Sequence, residues 1–220
     1  MSNGFPLIDI IFFAAVALFI AVRLRNVLGK RTGHERRPEP PLTPTTPDNV
    51  VKLPGRDDHL DGPFGHVEDP DLRAGLNAVR RHDDDFDLEH FLGGARGAFE
   101  MIVGAFARGD VDTLRPLLAE DVFAGFADAI EQREAASETL ATEIVGIKAV
   151  EVVEARMQGT QALVSVRFVS DQVNVTRDAQ GAVVDGDPDH LAEVVDVWTF
   201  GRDTASRDPN WFLVATSAES

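Results

Sequence analysis

The chain contains no cysteine. Disulfide frameworks, thiolate metal sites and cysteine nucleophiles are therefore excluded, and a reducing compartment suits it. Tyrosine is absent as well, against 14 phenylalanines, so no phenol is at hand to donate or hold a proton. Basic residues are scarce in most of the chain. The net charge is −16, and it is unevenly spread: residues 1–82 hold 11 Lys and Arg against 10 Asp and Glu, whereas residues 83–220 hold 10 against 27, a net −17. A surface of that sign repels phosphates and offers no clustered Lys or Arg, which argues against nucleic-acid binding.

One long apolar run is present near the start, LIDIIFFAAVALFIAV from Leu7 to Val22, interrupted only by Asp9. Taken from Phe5 to Leu24 it has 20 residues, about what a helix needs to cross roughly 30 Å of hydrocarbon. Arg23, Arg25, Lys30, Arg31, Arg36 and Arg37 follow it, and no basic side chain precedes it. A cleaved signal peptide has its basic residues first and small residues at the cleavage site, the reverse of this order. Residues 5–24 therefore read as a single transmembrane helix. The positive-inside bias puts the N-terminus outside a bacterial-type inner membrane and the remainder in the cytoplasm.

Residues 25–69 carry Pro38, Pro40, Pro41, Pro44, Pro47, Pro54 and Pro63 with little periodic hydrophobicity. That composition predicts an extended, solvated tether. Residues 70–82 predict a short amphipathic helix, with Pro70 in its first turn and Leu72, Leu76 and Val79 on one face. Arg73, Arg80 and Arg81 on its flanks suit either the bilayer surface or the body of the protein.

The folded domain is expected over residues 83–220. Leu88, Phe91, Leu92, Ala95, Phe99, Ile102, Val103 and Phe106 recur at spacings of three and four, and Gly109 follows as a C-cap. Two further helices are predicted around Leu114 and around Phe126. From Thr142 the period changes to two, in Val-rich stretches at Ile144 to Val153, Ala162 to Val175, Val183 to Val184, Leu191 to Phe200 and Trp211 to Thr216. Turn residues separate them at Gly159, Gly181, Gly186 and Pro209. Helices followed by strands on short connections predict an α+β fold, a curved antiparallel sheet with helices on one face.

Three stretches carry a resemblance: AFARGDVDTLRPLLAEDVFAGF (Ala105 to Phe126), EIVGIKAVEV (Glu143 to Val152) and VVDVWTFGRDTASRDPNWFLVAT (Val194 to Thr216). Together they resemble the C-terminal domain of the mitochondrial inner-membrane import-motor anchor, the forty-four-kilodalton subunit of the presequence translocase, and its bacterial relatives. The resemblance implies a cone-shaped fold similar to nuclear transport factor two, closed around an apolar cavity. It also implies membrane lipid and inner-membrane or envelope proteins as partners, without catalysis or a cofactor. Where the mitochondrial member has a long half that recruits chaperone and channel partners, this sequence has the Pro-rich tether, so an import-motor role is not carried over whole. The net −17 of the domain also opposes tight attachment to anionic head groups.

Candidate pocket-lining residues are Phe99, Ile102, Phe106, Phe123, Phe126, Phe168, Trp198, Phe200 and Trp211, whose spacing is equally that of ordinary core faces. Asp196, flanked by Val194, Val195 and Val197, is the best isolated carboxylate for an enzyme of the isomerase or hydrolase type on the same cone. Its plainer reading is a carboxylate that points outward or pairs with an arginine such as Arg167. Asp185, Asp187 and Asp189 open like a calcium loop, but Pro188 and His190 stand where the loop needs a flexible turn and a glycine, so no metal site is expected. The run Asp83 to Asp85 with Asp87 and Glu89 suits the positive end of a helix dipole. The function expected from all this is a membrane-tethered binding or scaffold module, engaging lipid or hydrophobic protein segments and assisting protein translocation or membrane-protein biogenesis.

Overall fold

In the computed structural model, which describes residues 63–218, the first helix is α1, Pro70–His82. Asp69 caps it by accepting from the backbone N–H groups of Asp71 at 2.8 Å and Leu72 at 3.0 Å. Pro70 lacks the N–H that a first turn cannot use. Leu76 and Val79 are fully buried, so of its two possible resting places the helix occupies the protein body, against β1 (Thr139–Gln158). Gly75 makes that approach possible: a Cβ there would stand 1.8 Å from the backbone oxygen of Ala155. The packed core thus reaches back through α1 to Phe64. The expected span at 5–24 and most of the tether lie outside the described residues, among which no helix is long and apolar enough to cross a membrane.

The helix α2, Leu88–Arg108, starts at Asp87, whose side chain accepts from the backbone N–H of His90 at 2.7 Å. It stops at Gly109, held left-handed at φ 71°, a conformation glycine adopts without Cβ strain. Asp110 caps the single turn α3, Val111–Leu114, through the backbone N–H and hydroxyl of Thr113. The fourth helix, α4 (Glu120–Ala135), has no side-chain cap. Its entry is tied instead to β5 (Phe212–Ala218), where the Ala119 N–H donates to Leu213 O and the Leu213 N–H donates to Leu117 O.

The strands β1, β2 (Gln161–Arg177), β4 (Ala192–Asp203) and β5 form one antiparallel sheet in that order, and β3 (Val183–Gly186) pairs with the far end of β2. The β1–β2 hairpin turns on Gly159 at φ 62°. β1 is twice the length read from the sequence, extending to both sides of the Ile144 to Val153 stretch, and its register shifts between Ile144 and Gly146, Ile147 and Ala149, and Val152 and Glu154. Such bulges bend a strand and strengthen its twist, which curves the sheet around the helices. Along β2, Ala162, Val164, Val166 and Phe168 are fully buried and make the inner row. Trp198 and Phe200 on β4, and Leu213 on β5, continue that row across the sheet. The fold is α+β, with helices packed on the inner face of an antiparallel sheet.

Candidate functional site

The nine residues named as candidate pocket lining fall into four settings. Phe99, Ile102, Phe168, Trp198 and Phe200 fill the middle of the core. Phe99 stacks on Phe168 with centroids 4.4 Å apart and lies 4.7 Å from Trp198, inside the 4.5–7 Å spacing typical of favourable ring pairs or just short of it. Phe106 and Phe126 meet edge-on at 5.2 Å, with the Arg133 guanidinium 5.0 Å over Phe106. Phe123 is only partly buried and carries the Arg115 guanidinium at 4.1 Å. Trp211 joins a second aromatic group, 4.9 Å from Phe91 and 5.9 Å from Phe86, which in turn meets Phe64 at 6.3 Å; Phe91 links it to Phe200 at 6.0 Å. Phe64 and Phe86 escape a periodicity reading because each stands alone among polar residues; their only signal is that isolation.

The sequence did not suggest a buried tie between two distant charges that the structure holds among the described residues. Asp83, read from the sequence as part of an acidic run serving the helix dipole, is buried and accepts from the Arg202 guanidinium of β4. Asp87 does cap α2, but Asp83 faces the sheet. Arg202 Nε is buried without a hydrogen-bond partner. Arg80 on α1 closes the same end by donating to Phe86 O.

The open space is elsewhere. A groove of about 420 Å³ runs between α2 and β1, lined by Arg96, Glu100, Val103 and Gly104 on one side and Thr142, Ile144, Val145, Gly146 and Ile147 on the other. None of the nine aromatic and apolar candidates lines it. Ile144 and Ile147 belong to the inner row of β1 and lie partly buried, while Val145, at the first bulge, is 57 % exposed. Arg96 and Glu100 pair with each other on the helix at 3.4 Å. The lining is mixed: Val103, Ile144, Val145 and Ile147 supply apolar surface, while Arg96, Glu100 and Thr142 add polar groups, two of which pair with each other across the helix turn.

Asp196 lies on the inner row of β4. Its cross-strand neighbours are Phe168 and Ala218, and Trp198 is the next residue on the same face. Pairing with Arg167 does not occur, because Arg167 sits opposite Val197 on the outer row, 3.8 Å from Glu151. Burial pushes the Asp196 carboxyl from 3.8 up to about 6. The polar residues beyond Phe168 on the inner row of β2 bond one another: the Gln172 amide donates to Ser170 Oγ at 2.9 Å and the Asn174 amide to Gln172 Oε1 at 3.3 Å. The Asp185 to Asp189 stretch forms a turn in which Asp187 accepts from the backbone N–H of Asp189. Among the described residues no three His, Asp or Glu side chains stand where they could hold a metal ion together.

Comparison with known proteins gives the following. The family model described as the Tim44-like domain matches residues 72–218. The mitochondrial import inner membrane translocase subunit TIM44 of Mus musculus is 29% identical over 166 residues, 74% of this chain and 36% of that protein. Its Homo sapiens counterpart is 28% identical over the same shares. The probable mitochondrial import inner membrane translocase subunit tin-44 of Caenorhabditis elegans is 26% identical over 136 residues, 61% of this chain and 32% of that one. The chain thus spans about a third of the length of the curated relatives it matches. Among solved structures, the intermembrane space region of the chloroplast protein ARC6 overlays with a TM-score of 0.37 at 14% identity, covering 57% of this chain and 96% of that one. A putative dehydratase from the NTF2-like family of Streptomyces avermitilis overlays at 0.36 and 18% identity, covering 60% and 96%. At those scores neither overlay fixes a fold or a function.

Proposed function

Because this chain belongs to the Tim44-like domain family, we propose that it is a membrane-tethered binding module that holds apolar protein segments, or lipid, beside an inner membrane and so assists protein translocation or membrane-protein biogenesis. In this reading residues 5–24 are the anchor, with the N-terminus outside, residues 25–69 are the tether, and the α+β body is a cone whose sheet wraps the helices. The observation that carries it is the α2–β1 groove, which has Val103, Ile144 and Ile147 in its lining and the exposed Val145 at its edge. Apolar surface left in the open beside a groove is where soluble domains bind apolar partners. The curated relatives support the setting, since each is by name a subunit of a mitochondrial inner-membrane translocase.

A catalytic reading would need a second polar group within hydrogen-bond reach of Asp196. Asp196 has no hydrogen bond or ion pair among the described residues, and the Ser170, Gln172 and Asn174 side chains are engaged with one another. The net charge of −17 over residues 83–220 favours protein segments and neutral lipid over anionic head groups.

The test uses the full chain in detergent with a photo-crosslinking side chain at position 145, and a second version with the crosslinker at Glu131 on the exposed face of α4. Envelope proteins or lipid captured from position 145 well above position 131 support the proposal. Equal capture at both positions, or none, overturns it.

A further inference from the structure

We infer that the inner face of β4 at Asp196, outside the α2–β1 groove, is a binding site for one cationic side chain, a lysine or arginine, carried on an otherwise apolar protein segment. The inference deepens the proposed function and rests on it, for it names the chemistry of the segment that the module engages.

The case begins with what surrounds the carboxylate. Asp196 shares its row with Trp198 and Phe200, faces Phe168 across one strand pair and Ala218 across the other, and is followed toward the strand start by Val194. Phe168 is fully buried and Trp198 nearly so, so water reaches the group from few directions. Every cation on the elements packed nearby is committed elsewhere. On β1, Lys148 holds Asp171 at 2.7 Å and Glu193 at 2.9 Å. On β2, Arg167 stands in the outer row beside Glu151. On α2, Arg96 pairs with Glu100, and Arg108 lies 4.0 Å from Asp110. On α4, Arg133 donates to Phe106 O at 2.7 Å and Ala107 O at 3.3 Å. β5 presents no charged side chain over Phe212–Ala218. Burial is what raises the pKa of Asp196 to about 6.

A carboxylate in such a place has lost part of its hydration and gained nothing in return. A neutral hydrogen-bond donor would recover part of that loss. A cation recovers more, because charge-assisted hydrogen bonds are about twice as strong as neutral ones. Lysine and arginine also bring an apolar stem that can run past Val194 and the ring edges while the charged head meets the carboxylate. Anionic ligands are opposed by the rest of the body, whose acidic residues far outnumber its basic ones.

Binding is then linked to pH with a definite sign. The free carboxyl is half protonated near pH 6, and a bound cation holds it ionised to lower pH. Affinity therefore rises from pH 5 to pH 7 and levels off above, as proton release to solvent ceases to accompany binding.

The experiment uses the full chain in neutral detergent and three fluorescent versions of a short apolar peptide, with lysine, acetyl-lysine or norleucine at its centre. Anisotropy gives affinities for the wild type, Asp196→Asn and Asp196→Glu, with thermal melts as a check on folding. The lysine peptide should bind the wild type about tenfold tighter than the other two at neutral pH, a typical coupling for a partly buried charge pair. That preference should shrink toward equality at pH 5, vanish in Asp196→Asn and survive in Asp196→Glu. Equal binding of all three peptides to the wild type overturns the inference and leaves the binding function standing. Binding of none overturns both. A lysine preference that persists in Asp196→Asn overturns the assignment to this residue.

Discussion

Two charged residues on the inner row of β4, Asp196 and Arg202, meet opposite fates. Arg202 is sealed: its guanidinium donates to the buried Asp83 carboxylate, and Arg80 of α1 ties the segment that carries Asp83 by donating to Phe86 O. Asp196 has neither a partner nor a lid of that kind, although it stands on the same strand and the same face. The contrast separates two uses of charge in one core. A paired charge fastens an element that hydrophobic burial alone would hold loosely, here the stretch that joins α1 to α2. An unpaired one is a standing cost to the fold, and its persistence is explained by something outside the fold.

The sealed end should break hardest. Asp83→Ala leaves the Arg202 guanidinium buried without its counter-ion and is expected to cost about 3–5 kcal/mol, read as a drop in the urea midpoint. Replacing both partners at once, Asp83→Leu with Arg202→Met, should return most of that loss, since apolar replacement of a buried pair is often near neutral. If the double variant is as unstable as the single one, the pair does more than satisfy itself. Gly75→Ala comes next. Its methyl would meet the Ala155 backbone oxygen at 1.8 Å, so α1 must lift from β1, at a cost of about 2–3 kcal/mol by the scale of overpacked cores. Hydrogen exchange should show α1 opening ahead of the sheet.

The difference between the two ends also marks what the sequence discloses. The spacing of Phe91, Ala95, Phe99 and Ile102, with Gly109 after them, is enough to draw α2, and the glycines at 159, 181 and 186 locate turns that the structure shows at positive φ. Those features are local, so local pattern reads them. The Asp83–Arg202 pair joins residues 119 positions apart, and nothing in an acidic run distinguishes the one carboxylate that turns inward. Gly75 looks like a weak spot in a helix until β1 is laid against it. The full length of β1 is hidden for a different reason: the flanks it adds at 139–143 and 154–158 are mostly polar or charged, so neither reads as a strand without β2 laid beside it. The α2–β1 groove is hidden too, because the slip in pairing at Val145 exists only once β2 is laid against β1.

At the open end, effects on stability should be small and of the other sign. Asp196→Asn removes a carboxylate whose folded pKa of about 6 lies above its usual 3.8. The unfolded chain releases that proton near pH 4 and the folded chain only near pH 6, so across this window the unfolded state binds fewer protons and wild-type stability falls as pH rises. The contribution is fully present below about pH 4 and gone above about pH 6. The asparagine variant should lack this loss and be the more stable protein at pH 8, by about 1 kcal/mol once partial solvent access is allowed for. Parallel melts from pH 4 to pH 8 test this, and curves that keep a constant separation would place the carboxylate in water.

Val145 completes the comparison with the smallest expected change. Its side chain is 57 % exposed at the edge of the groove, so Val145→Ser should alter stability by no more than about 0.5 kcal/mol, as surface substitutions do. Capture of an apolar partner should fall nonetheless, because the substitution removes apolar area from the mouth and puts a hydrated hydroxyl in its place. The pairing of the two readouts carries the argument. A residue at the sealed end that leaves binding intact while lowering the urea midpoint, and one at the open end that does the reverse, would show that the two ends of this sheet have been divided between holding the fold and holding a guest. If Val145→Ser lowers stability as much as it lowers capture, the groove is a seam of the fold, and the open end has no separate task.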